Sequence, residues 1–254
     1  MRMLFCALLL IVLPICALAQ AVLPPEIHAQ AAVLLEGESG RELFAVNADE
    51  PRPIASTTKI MTALVVLENC DLDGKVTVSE NASGVPGTSL YLGAGEVLTV
   101  EQMLEGLLLR SGNDAAVALA EYVSGSVPAF AQEMNARAIA LGAKAHFVNP
   151  HGLDEKGHEA SARAMALIAR EALAFPDFRR LVTTKRALIP WPGNPYDRVL
   201  VNKNKLLDEY PDATGVKTGF TTKAGRCLVF SAKRNEMEIV GALLGAPNWF
   251  KDAQ

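Results

Sequence analysis

Metal-ligand patterns, basic clusters and disulfide frameworks are all missing from this chain of 254 residues. Its four histidines and four cysteines form no group with metal-ligand spacing. His151 and His158 lie seven apart in a glycine-containing stretch, a poor zinc pattern. Cys6 and Cys16 fall in the first twenty residues, which leaves Cys70 and Cys227. Two cysteines make no disulfide framework; they could pair in an exported protein or stand as separate buried thiols. The net charge is −4 with no cluster of lysine and arginine, so there is no electrostatic case for binding nucleic acid. No repeat and no low-complexity segment is visible. No G-x-S-x-G elbow occurs anywhere, which excludes that way of presenting a nucleophilic serine.

The chain opens with "MRMLFCALLLIVLPICALAQ": one arginine, an apolar run, then Ala17-Leu18-Ala19 before Gln20. That order reads as a secretory signal peptide over residues 1–19, with the mature protein beginning at 20. The apolar run is shorter than the roughly 20 residues of a membrane span and contains Pro14. The expectation is a protein that is periplasmic or secreted after cleavage.

Beyond the leader, apolar periodicity places strands at both ends and helices in the middle. "QAAVLLEGESGRELFAVN" reads as a hairpin, and "RCLVFSAKR" with "MEIVGALLG" as another, turning at Arg234-Asn235-Glu236. "GKVTVS" is a short strand, followed by a long glycine-rich loop. Residues 56–70 carry Ile60, Met61, Leu64, Val65 and Leu67, an almost wholly apolar helical pattern that predicts a buried helix. Further helices are expected over 99–109, 113–124, 127–141 and 160–174, with Thr99 and Gln102 as a capping box. "FRRLVTTKRALIPW" ends in strand-like residues. The class is α+β: an antiparallel sheet built from both termini with a helical lobe inserted, in one structural unit over 20–254.

Three short stretches carry possible chemistry. Ser56 and Lys59 sit three apart at the start of the buried helix, so they share a face. A serine hydroxyl is a poor nucleophile without a base, and a lysine serves as one only when burial and nearby positive charge keep it neutral. The helix start also offers free N–H groups for an oxyanion. Read alone, the pair is equally an N-cap serine and a surface lysine. Ser111-Gly112-Asn113 lies between two helices; alone it reads as capping. Lys217-Thr218-Gly219 opens toward an apolar strand, where lysine and threonine could bind a carboxylate and glycine allows close backbone approach. Alone it reads as a surface turn.

Their order resolves these alternatives. S-x-x-K, S-x-N and K-T-G in succession resemble the penicillin-recognising serine enzymes. The segments "IASTTKIMTAL", "LLLRSGNDAAVALAE", "FVNPHGL" and "TGVKTGFTTKAGRCLVFSAKR" resemble the low-molecular-mass D-alanyl-D-alanine carboxypeptidases, peptidase family S11, from about residue 25 to about 247. The resemblance implies the serine β-lactamase/DD-peptidase-like fold, with the site between sheet and helical lobe. It implies that Ser56 attacks the D-Ala-D-Ala bond of a peptidoglycan stem peptide and Lys59 takes its proton. Ser111 would relay a proton to the leaving amine, and Asn113 would position Lys59 and substrate. Lys217 and Thr218 would hold the terminal carboxylate beside Gly219, with the N–H groups of Ser56 and Phe220 as the oxyanion hole. It further implies acylation by β-lactams and no metal or organic cofactor.

Many members of that family carry a second β-rich domain and a C-terminal amphipathic helix. Neither is visible before the chain stops at "GAPNWFKDAQ", so no C-terminal membrane anchor is expected. Three other functions compete. A serine β-lactamase would want an E-x-x-L-N segment between the second and third motifs, and none is present. A DD-endopeptidase would use the same residues on cross-links. A non-catalytic penicillin or peptidoglycan sensor would keep only the fold. His151 is read as a loop-holding residue, and Cys70 and Cys227 as packing. The sequence carries no signal for oligomeric state.

Overall fold

A computed structural model describes residues 24–254; the leader read at 1–19 lies outside the described residues. The strands β1 (Ala31–Glu36) and β2 (Glu42–Val46) form the first hairpin, as expected. A 3-10 turn over Ala55–Thr58 runs directly into α1 (Lys59–Asn69). Then come β3 (Lys75–Thr77), α2 (Glu80–Ser83), β4 (Val97–Thr99) and α3 (Val100–Glu105). A π turn over Gly106–Arg110 follows, and then α4 (Asn113–Ser124) and α5 (Val127–Ala140). The two-residue strands β5 (Ala145–His146) and β6 (Glu159–Ala160) bracket the "FVNPHGL" loop. Next are α6 (Ala162–Ala172), α7 (Pro176–Thr183), β7 (Arg186–Ile189), β8 (Arg198–Val201) and α8 (Leu206–Glu209). The chain returns through β9 (Ala213–Thr221), β10 (Gly225–Arg234) and β11 (Met237–Leu244) to a one-turn α9 (Trp249–Asp252).

Five strands make one antiparallel sheet in the order β2-β1-β11-β10-β9, so strands from both ends of the chain are neighbours. Side chains alternate across it. Ala31, Val33 and Leu35 face the helices and join the main core with Val229, Val240 and Ala242. Ala32, Leu34, Leu228, Phe230 and Leu243 face the other way, into a smaller cluster closed by Ile27, Tyr210, Trp249 and Phe250. Gly241 lies opposite Phe230, and a Cβ there would fall 2.3 Å from the ring, so glycine lets the aromatic cross the neighbouring strand. Helix α1 is buried on every side through Ile60, Met61, Leu64, Val65 and Val66, with α6 between it and the sheet. Among the described residues no helix is long and apolar enough to cross a membrane.

Helix starts follow the capping chemistry. The Thr99–Gln102 box is formed in both directions, and Ser79, Ser126 and Ser161 each accept an N–H of the first turn of α2, α5 and α6. Three expectations need correction. The helix expected over 99–109 tightens to 100–105 and then widens into the π turn, which carries the chain into Ser111. The glycine-rich loop ends in β4, paired with β3. The "FRRLVTTKRALIPW" stretch does end in a strand, β7, as expected; its first residues lie in a helix that begins at Pro176, a residue whose fixed φ suits a first helical position. Lys217-Thr218-Gly219 sit inside the edge strand β9 rather than ahead of a strand. Cys70 and Cys227 are both free thiols.

Candidate active site

The first motif owes its geometry to one strained residue. Ala55 has φ 48, left-handed, and reverses the chain so that the 3-10 turn can enter α1. Gly152 makes room for it, because a Cβ there would lie 1.9 Å from the Ala55 carbonyl oxygen. Ser56 and Lys59 then fall on one face, with Lys59 Nζ 3.0 Å from Ser56 Oγ. The lysine nitrogen also donates to Asn113 Oδ1 at 2.8 Å and to the backbone oxygen of His151 at 2.6 Å. Lys59 is wholly buried. Burial, and then the charges of Lys217 and Lys203, hold its pKa well below the ordinary lysine range, while Asp114 pulls the other way. A charged lysine in such a place is expensive, so the neutral amine, which can accept a proton, becomes accessible.

The second motif is held from the side by the glycine-rich loop. Asn113, the first residue of α4, donates its backbone N–H to Thr88 O at 2.7 Å and its Nδ2 to Pro86 O at 2.7 Å. Its neighbour Asp114 is buried and accepts from Ser89 Oγ, Leu90 N and Leu92 N, so one carboxylate anchors the whole loop. Farther along, Glu96 and Arg198 form a nearly buried bidentate pair, 2.6 and 2.8 Å, under the Trp191 ring, which ties the loop to the β7–β8 hairpin. Ser111, with φ 70, leaves the π turn at the cleft wall.

The third motif brings the sheet edge to Ser56. A Cβ on Gly219 would stand 2.9 Å from Ser56 N and 3.0 Å from Thr57 N, so only glycine permits this approach of β9. Between these parts lies a cleft of about 350 Å³, lined by Ser56, Thr88, Ser111, Lys203, Thr218, Gly219, Phe220 and Trp249. Of the residues proposed from the sequence, Ser56, Ser111, Thr218, Gly219 and Phe220 line it, and Lys59 touches Ser56 directly. Asn113 and Lys217 are buried and are not among the residues that line it. Lys217 is 1% exposed and donates Nζ to Thr218 O at 3.0 Å; burial, with Lys203 beside it, lowers its pKa to about 7.

Sequence reasoning missed Lys203, Thr88, Asp114 and Trp249. Lys203 continues the exposed alternation Val199, Val201, Lys203, but that signal needs β8 to be recognised as a strand. His151, a loop-holding residue by sequence, contributes to Lys59 through its backbone oxygen, on which side-chain identity is silent. Its ring is largely buried, with a pKa lowered to about 3 by burial and by Lys59 and His158.

A sheet edge and a helical lobe that meet at a serine–lysine pair define the architecture of the DD-peptidases and penicillin-binding proteins. The family model described as D-alanyl-D-alanine carboxypeptidase matches residues 18–248, and the chain belongs to that family, peptidase family S11. It is 40% identical over 225 residues to D-alanyl-D-alanine carboxypeptidase DacF of Bacillus subtilis, covering 86% of this chain and 58% of that protein. The chain thus spans less than two thirds of that curated relative. Its fold superposes on the crystal structure of an evolved putative penicillin-binding protein homolog, Rv2911, of Mycobacterium tuberculosis with TM-score 0.87 and 33% identity, covering 92% of each chain. A point mutant of the Streptomyces K15 DD-transpeptidase gives TM-score 0.85 and 34% identity, covering 91% of this chain and 96% of that one.

Proposed function

We propose that this chain is a serine-type D-Ala-D-Ala carboxypeptidase that removes the terminal D-alanine from peptidoglycan stem peptides through an acyl-enzyme on Ser56. The observation that carries the reading is the 3.0 Å approach of a wholly buried Lys59 Nζ to Ser56 Oγ. Neutral Lys59 takes the Oγ proton as Oγ bonds to the carbonyl carbon. The N–H groups of Ser56 and Phe220 receive the developing oxyanion. The C–N bond breaks, and Ser111 relays a proton to the departing D-alanine amine. Water then attacks the ester, gives its proton to Lys59, and releases the shortened stem with Ser56 restored.

Asn113 keeps Lys59 aimed. Thr218 offers its hydroxyl and Lys217 its charge to the terminal carboxylate, and Lys203 is the cation on the open cleft. β-Lactams present a strained amide to the same groups and acylate Ser56. The segment read as a signal peptide supports export to where peptidoglycan lies.

The test is an intact-mass time course of the chain with benzylpenicillin, followed by an assay of D-alanine release from a stem-peptide mimic. A single adduct on the wild-type chain and none on Ser56→Ala is expected, together with D-alanine release. An adduct that persists on Ser56→Ala refutes the nucleophile. An adduct without D-alanine release refutes the carboxypeptidase.

A further inference from the structure

His158 is 5% exposed, titratable, and absent from the chemistry above. It sits at the end of the 147–158 loop, with its ring edge-on to Phe147. Two contacts fix its protonation state. Val148 N–H donates to Nδ1 at 3.1 Å, so Nδ1 carries no proton. Nε2 lies 2.8 Å from Thr58 Oγ1, and Thr58 Oγ1 lies 2.9 Å from Ala55 O. A carbonyl can only accept, so the one hydroxyl proton goes to Ala55 O and Nε2 must donate to the hydroxyl. Both contacts give the same neutral tautomer. The chain His158 → Thr58 → Ala55 O ends on the left-handed residue immediately before Ser56. The same loop supplies the His151 oxygen that receives Lys59 Nζ. One element therefore grips the nucleophile's turn and its base together.

We propose that His158 is a positioning residue: through Thr58 Oγ1 it holds the Ala55 carbonyl, and so sets where Ser56 Oγ stands against Lys59 Nζ. This rests on the acyl-enzyme reading of the site. The ring never meets substrate; it acts by removing freedom from the turn, and misplacement on the ångström scale is costly in rate.

Two amide replacements separate this role from simple support of the loop. His158→Gln can place a donor where Nε2 stands, toward Thr58. His158→Asn can place an acceptor where Nδ1 stands, toward Val148, and leaves Thr58 without its donor. Thr58→Val removes the relay hydroxyl at nearly constant volume. The second-order acylation rate constant with benzylpenicillin is measured by intact mass for each, with melting curves alongside. His158→Asn and Thr58→Val should each lose about tenfold or more, and the double variant should lose no more than the worse single. His158→Gln should stay within about threefold of wild type. If His158→Asn does not fold, Thr58→Val and His158→Gln decide. Wild-type rates in Thr58→Val, multiplicative losses in the double variant, or recovery by His158→Asn but not His158→Gln overturn the proposal. A wild-type chain that forms no adduct overturns the reading of the site and this inference with it.

Discussion

Replacing Gly219 by alanine perturbs one distance and little else. The residue has ordinary extended backbone, so the methyl group adds no torsional strain. Its Cβ would stand 2.9 Å from Ser56 N, 3.0 Å from Thr57 N and 3.1 Å from Ala55 Cβ, and ordinary contact begins near 3.4 Å. Two of the three obstacles are backbone, and none is the end of a flexible side chain. The strand must therefore retreat from the turn by about half an ångström. Overpacking of this kind costs about 1–3 kcal/mol. For a chain of this size that lowers the melting temperature by about 2–12 °C. Acylation suffers more, because the cleft groups of β9 move away from Ser56: a loss of about tenfold to a hundredfold is expected in the second-order rate with benzylpenicillin. Gly152→Ala should be graver in stability, since its Cβ would lie 1.9 Å from Ala55 O at a φ of +86. Gly95→Ala is the control: it has φ +79 but nothing within 4 Å, so it should cost only about 1–2 kcal/mol and no acylation rate. Wild-type acylation in a folded Gly219→Ala chain would refute the claim that the strand–turn approach sets the geometry.

Other outcomes follow from the same charges and contacts. If Lys59 is the base, as proposed, acylation requires its neutral form, and the rate should fall on the acid side of the Lys59 titration. Lys203→Met removes a cation that depresses that pKa and should move the limb to higher pH, whereas Asp114→Asn removes an anion that raises it and should move the limb down. Limbs that shift together, or not at all, would contradict the assignment of Lys59 as base. Asp114→Asn should also lower stability by about 2–3 kcal/mol in chemical denaturation, because donors face both carboxylate oxygens, Ala115 N–H at Oδ1 and three others at Oδ2, and the amide must turn its NH2 toward one set. Protonation of the two buried histidines gives stability a pH dependence of fixed sign. His151 and His158 titrate near 3 and 4 in the fold, against an ordinary 6.5. Between those values the unfolded chain binds the extra protons, so stability is full above about pH 6.5 and declines as pH falls toward 3–4, by on the order of 3 kcal/mol for His158 alone. Urea titrations at pH 7 and pH 4.5 check this, and equal midpoints would refute it.

What could be read from the sequence depended on whether the information was local. Helix α1 announced itself because its apolar residues recur around the whole helix, and the Thr99–Gln102 box because both partners lie within one turn. Ser56 and Lys59 were legible for the same reason. Ser111, Asn113 and the Lys217–Gly219 stretch gained meaning only from their order, since each is an ordinary cap or turn by itself. The rest depended on tertiary contact. Strands β4 and β8 are short and half exposed, so alternation was faint. The oxygen of His151 reaches Lys59 across 92 residues, and Thr58 meets His158 across 100. The burial of Lys217, 1% exposed inside an edge strand, is a matter of tertiary contact that three residues cannot reveal.

The sheet order bears on when the site comes into being. Strand β1 pairs with β11, and His28 meets Asp252 across 224 residues, so the first hairpin waits for the last strand before its inner edge is covered. Contacts of that span form late, because most of the loop entropy must be lost before they return anything. The serine and lysine are neighbours as soon as one helical turn forms, yet closeness is not reactivity. The pKa of the amine is lowered by its burial and by cations delivered from β9 and the segment after β8. A chain that has made α1 but not the sheet carries a solvated, protonated lysine beside an inert hydroxyl. On the proposed mechanism, closure of the sheet is therefore also the arming step, and an incompletely folded chain has no nucleophile to misuse.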